Sequence, residues 1–148
     1  MASYSVSAEV AAPPEAVWRV VSDVESMPGW TASMSSVRVV EGPNPPAVGS
    51  AVRIEQPGLP LAVWTVDEWD PPRKFGWTSA VPGVRTQAEH VVEPAGDGRS
   101  RVTLAITQVG WLSGVVGALL RPKIRRLVDA ELAGLKARAE SGAPGAGV

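Results

Sequence analysis

The chain carries one histidine and no cysteine, so the side chains that usually move protons near neutral pH or hold a transition metal reduce to His90. Histidine is the side-chain type that titrates near neutrality when unperturbed, which makes His90 the candidate general acid or base. The bland alternative is a hydrogen-bonded pocket or core group, and no carboxylate shares its face of the local pattern. One histidine without cysteine forms no convincing metal cluster. The chain has no glycine-rich loop with phosphate-binding spacing and no Gly-x-Ser-x-Gly elbow, so nucleotide binding and serine-hydrolase chemistry find no support. No cofactor is expected. Arg121, Lys123, Arg125 and Arg126 make a basic stretch. It reads as a solvated helix face or as a surface for an acidic partner.

The elements that place His90 follow from hydrophobic periodicity. Thr86, Ala88, His90 and Val92 alternate with Arg85, Gln87, Glu89 and Glu93, so Val84 to Val92 is a strand with His90 facing inward. The same alternation predicts strands at Ser3 to Val10, Ser35 to Val40, Ser50 to Gln56, Lys74 to Ala80 and Arg101 to Val109. Their inward faces hold Tyr4, Gln56, Trp77 and Gln108. Leu61 to Trp69 is apolar on both parities and its faces cannot be sorted. Short Gly- and Pro-rich separators make six consecutive strands an antiparallel meander, and Ser3 to Val10 brings the sheet to seven. After the first strand, Pro14 and Glu15 start a short helix, and Asp23 begins a second that Pro28 and Gly29 end. Beyond Gly110 the period becomes helical through about Glu140, with Val116, Leu119 and Leu120 on the apolar side. Pro122 lies inside that helix and predicts a kink or local break near Leu119.

At 148 residues and a net charge of -1, the chain suits one domain, expected over 1–140, with a disordered tail over 141–148. No overall field favours nucleic acid or an anionic membrane. The apolar run Trp111 to Leu120 is about half of the roughly 20 residues a membrane span needs. The N-terminus does not read as a signal peptide, and a cysteine-free chain suits the cytoplasm.

Tyr4, Gln56, Trp77, Thr86, His90 and Gln108 are polar or amphipathic groups within an otherwise aliphatic and aromatic interior. A few such groups in an apolar wall orient a small molecule; otherwise each is paired within the protein. Ala8, Ser79, Ala88, Gly114 and Gly117 leave volume between helix and sheet, unless the two approach closely. The expected ligand wall is Tyr4, Gln56, Trp77, Thr86, Ala88, His90, Gln108, Val116, Leu119 and Leu120. Trp30 and Trp111 read as lids over its end.

The order APPEAVWRVVSDVESMPGW, VDEWDPPRKFGW and HVVEPAGDGRSRVTL before a long terminal helix resembles the START and birch-pollen-allergen (SRPBCC) superfamily, in its polyketide cyclase/dehydrase-like branch. The resemblance runs through nearly the whole chain. Pro13, Ala16, Val17, Trp18, Ser22 and Asp23 match the family's first two short helices, Trp30 the tryptophan after them, and Gly98, Arg101, Val102 and Thr103 a turn and strand. The resemblance implies an α+β helix-grip fold: a curved seven-stranded antiparallel sheet around a long C-terminal helix, with an elongated apolar cavity. These are signatures of fold, and the family shares no catalytic set, so none is carried over.

Three functions remain open. The first is binding or transport of a small hydrophobic ligand, lipid- or polyketide-like, by a monomer or homodimer. The second is a cofactor-free cyclase, aromatase or dehydrase using His90, with Tyr4 or Gln108. The third is a protein-interaction or co-chaperone-like module.

Overall fold

A computed structural model describes residues 2–141; of the expected disordered tail, all but Ser141 lies outside the described residues. The alternating segments become strands β1 (Ala2–Val10), β2 (Ser36–Glu41), β3 (Ala51–Glu55), β4 (Ala62–Asp70), β5 (Lys74–Val81), β6 (Val84–Pro94) and β7 (Ser100–Val109). They form one seven-stranded antiparallel sheet in the order β1-β7-β6-β5-β4-β3-β2. This is the expected meander, with β1 added beside β7. Helix α2 (Ser113–Glu140) packs against β1, β6 and β7. The architecture is the α+β helix grip.

Pro14 opens helix α1 (Pro14–Ser22), which buries Ala16, Val17, Trp18, Val20 and Val21. A 3-10 turn, Val24–Gly29, follows. Trp18 meets Trp69 and Phe75 edge-on at centroid distances of 5.5 and 6.1 Å, so α1 joins an aromatic core on the sheet. The ambiguous parity of β4 has a local cause. Its pairing with β5 slips between Val66 and Glu68. Trp64 and Val66 point inward before the slip, and Trp69 joins the core after it. A bulge of this kind moves the apolar set from one parity to the other.

Of the kink or local break expected near Leu119, the break does not occur: α2 runs through Pro122 as one 28-residue helix. Proline removes the amide that would bond the carbonyl of Ala118, and both residues are exposed, so water can serve that carbonyl. Contacts along its length hold the helix. The Leu112 amide donates to the Gly83 carbonyl at 2.9 Å, and Lys123 Nζ to that of Gly58 at 2.8 Å. A side chain on Gly134 would collide with the Trp30 carbonyl, so glycine lets the helix pass there. Lys136 Nζ donates to the Glu9 carbonyl at 2.8 Å.

Glu140 Oε2 accepts from Lys136 Nζ at 2.6 Å and from the Ala11 amide at 2.8 Å. Lys136 first, and that amide second, hold the Glu140 carboxyl below its ordinary range. A depressed folded-state pKa contributes stability above the unfolded value and loses it as pH falls through the folded one. Glu140→Gln is therefore expected to lower the urea midpoint at neutral pH, by less than the roughly 1 kcal/mol ceiling of exposed pairs. The two proteins should converge in acid; a gap that persists there would assign the effect to something other than this carboxylate.

Candidate functional site

Between the concave face of the sheet and α2 lies a cavity of ≈ 320 Å³. Small inward side chains create it: Ser79 and Ala88 stand where larger ones would reach the helix. Trp64 and Trp77, 6.2 Å apart by centroid, form one wall. Ile106 and Gln108 form another, and Leu112, which caps α2, with Val116, Leu120, Ile124 and Val128 of the helix form the roof. The mouth opens between the β3–β4 tip (Leu59, Pro60 and Leu61) and the β5–β6 tip (Val81 and Pro82).

At the other end sits a buried polar pair. His90 Nε2 lies 3.0 Å from Glu131 Oε2, with His90 3% and Glu131 8% exposed. His90 stacks on Phe75 at 4.1 Å and meets Trp77 edge-on at 5.5 Å, which fixes the imidazole plane. Nδ1 is buried without a partner among the described residues. Assigning the proton to Nε2 gives the Glu131 carboxylate its donor and leaves no orphaned N–H at Nδ1. Glu131 thereby becomes an oriented carboxylate on an apolar cavity, able to accept a hydrogen bond or a proton from a bound molecule. Among the described residues, no three His, Asp or Glu side chains gather to hold a metal ion.

Of the residues expected to form the ligand wall, Gln56, Trp77, Thr86, Ala88, His90, Gln108, Val116 and Leu120 line this cavity. Gln56 Nε2 donates to the Ser33 carbonyl at 3.2 Å, and Gln108 Nε2 approaches Thr86 Oγ1 at 3.5 Å.

Tyr4 does not join them. It lines a second cleft, also ≈ 320 Å³, with Ser3, Arg121 and Arg125. Its hydroxyl donates to Asp129 Oδ1 at 2.7 Å, and the Arg125 guanidinium lies 5.0 Å from its ring centroid. The bond to Asp129 is the chief cause that raises the phenol's pKa. The inward face of β1 is the right face, but β1 is the sheet edge and α2 packs over it, so the helix separates Tyr4 from the cavity.

Leu119 is also displaced, standing 75% exposed. The roof uses Leu112, Val116 and Leu120, four residues apart, and Leu119 lies about 100° round the helix from Leu120. Trp30 and Trp111 do not act as lids, since neither lines the cavity and Trp111 is exposed. Gly114 and Gly117 border the second cleft instead, and a Cβ on Gly117 would come 2.7 Å from that of Ala2.

Among the lining residues outside the expected wall, Trp64 and Glu131 bear most on the chemistry. Trp64 was hidden by the shifted parity of β4. Glu131 carried a signal: it falls at helical spacing within the apolar series Ile124, Leu127, Val128 and Leu135, where a carboxylate needs a buried partner.

A family model described as "Polyketide cyclase / dehydrase and lipid transport" matches residues 1–140. Among solved structures, the chain is similar to the Zhui aromatase/cyclase from Streptomyces sp. R1128, with 21% identity, coverage of 99% of this chain and 98% of that one, and a TM-score of 0.79. It is similar to the di-domain ARO/CYC BexL from the BE-7585A biosynthetic pathway, at 22% identity and TM-score 0.76, covering 97% of this chain and 48% of that one. A START superfamily protein from Mycobacterium smegmatis gives 17% identity, coverage of 94% and 97%, and a TM-score of 0.71. At these identities the likeness bears on fold. Among curated proteins no match is found.

Proposed function

The chain belongs to the polyketide cyclase/dehydrase and lipid transport family, and from that premise we propose that it binds or carries a small hydrophobic molecule, lipid- or polyketide-like, in the cavity beneath α2. The observation that carries this reading is an apolar cavity of ≈ 320 Å³ whose inner end holds one oriented polar pair, His90 and Glu131. Its size falls at the lower end of the roughly 300–1,000 Å³ typical of small-molecule sites. Trp64 and Trp77 supply flat apolar surface, and Glu131, Thr86 and Gln108 supply orienting groups. A ligand with a hydroxyl or enol at its deep end and an apolar body suits this arrangement.

The same pair favours a second reading, cyclase-type proton transfer. Holding a flexible poly-ketone folded against Trp77, with one C–H or O–H near Glu131, lowers a barrier through orientation as well as base strength. Here Glu131 touches the reacting atoms and His90 positions it.

Native mass spectrometry of the purified protein, with extraction of anything retained, tests the first reading. A stoichiometric apolar adduct is expected; an unadducted mass, with no thermal shift across a lipid and polyketide panel, would count against it. Glu131→Gln separates the two readings once a ligand is known. Turnover lost with affinity kept supports the cyclase, and altered affinity without turnover in either protein supports the carrier.

A further inference from the structure

Around the cavity mouth the molecule is apolar outside as well as inside. Residues 56–66, 75–84 and 102–120 contain no charged side chain. They supply the β3–β4 tip, the β5–β6 tip and the first eight residues of α2, which the Lys123–Gly58 and Leu112–Gly83 hydrogen bonds draw together. Trp111 is 81% exposed, Leu119 75% and Val81 64%, and Leu61 and Val115 are exposed beside them. Val115 and Leu119, four residues apart on α2, form a row along the helix flank beside the row that roofs the cavity, and Trp111 stands exposed in the turn just before the helix begins.

The cations begin where this row ends. Arg121, Lys123, Arg125 and Arg126 follow, and no acidic residue lies between Asp97 and Asp129 in the sequence. An apolar tip with an exposed tryptophan, collared by basic side chains, is the arrangement of an interfacial anchor. From Leu119 to Arg126 the helix rises about 10 Å. A row sunk roughly 5–10 Å into a bilayer surface therefore sets the cations at the level of the lipid phosphates.

We infer that this face seats the protein on an anionic lipid bilayer, with the cavity mouth against the headgroup and acyl boundary. An apolar ligand then passes between membrane and cavity without crossing water. Charge decides the occupant: a second copy docking by the same face would bring two cationic collars together, whereas anionic lipids neutralise the collar and fluid acyl chains accept the irregular tip. The docking stands on the surface itself, and only what is carried rests on the cavity reading.

The test is sedimentation of the full chain with vesicles of phosphatidylcholine alone and with vesicles containing about 30% phosphatidylglycerol. Native protein and Trp111→Ser/Leu119→Ser are compared, with binding of cis-parinaric acid in solution measured on both. Partition into anionic vesicles is expected to exceed that into neutral ones by about tenfold or more, and to fall by about tenfold in the double variant. Melting temperature and cis-parinaric acid binding should hold, because both altered side chains are exposed. Absent vesicle binding, or equal binding by native protein and variant, overturns the inference and leaves the cavity reading standing. A dimer that the variant dissolves, with no vesicle binding, also overturns it and gives the face to a second copy. Vesicle binding without uptake of cis-parinaric acid keeps the docking face and sinks the cavity reading.

Discussion

Replacing His90 by leucine, with Glu131 left in place, is expected to lower the unfolding free energy by about 3–5 kcal/mol, the usual cost of removing one partner of a buried pair. Nε2, at 3.0 Å, is the one hydrogen-bond partner of the Glu131 carboxylate among the described residues. Phe75 and Trp77, which hold the imidazole, cannot replace it. Replacing both residues by leucine removes the orphaned charge together with its donor and fills the gap with apolar volume. That double variant should recover most of the loss, since apolar replacement of a whole buried pair is often neutral or stabilising. Urea unfolding measures the cycle. If the double variant is as unstable as the single one, the pair is a structural element of the core. If it recovers stability and no longer retains ligand, the pair serves the site.

That cycle matters because the pair was only half legible in the sequence. His90 stood out as the single histidine on a clean alternating strand, and the structure puts it on the inward face. Glu131 lies 41 residues away on another element, and strand parity carries no information across that distance. The meander was legible because turn chemistry and alternation are local. Which residues share the cavity was less so, because that depends on where α2 crosses the sheet. Tyr4 faces inward as its pattern requires, yet at the sheet edge it lines the second cleft beside α2. Leu119 belongs to the apolar helical series, yet the series is wider than the roof and its outer flank faces solvent. Composition marked Gly134 no differently from Gly114, and only the packed Trp30 loop distinguishes them. Sheet order and element type follow from local rules, whereas lining residues follow from a docking angle that long-range packing sets.

Filling the cavity separates ligand binding from packing most sharply. Ala88 lies opposite Trp77 on one side and Ile106 on the other, and all three border the open volume. In a closed core Ala88→Phe would force neighbours apart, costing typically about 1–3 kcal/mol. Here the added ring enters empty space, so stability should hold or rise as apolar surface is covered. A ligand seated against Trp77 would then meet the ring, and its affinity is expected to fall by about a hundredfold, the equivalent of roughly 3 kcal/mol of overpacking. Thermal melting and displacement of a fluorescent fatty acid read the two quantities from one sample. A melting temperature kept or raised, with binding lost, identifies the cavity as the binding site. A stable variant that still binds places the ligand elsewhere, the cleft beside Tyr4 being the next volume to probe. A variant that melts early shows that α2 and the sheet close on Ala88 in solution, which removes the cavity on which ligand binding depends.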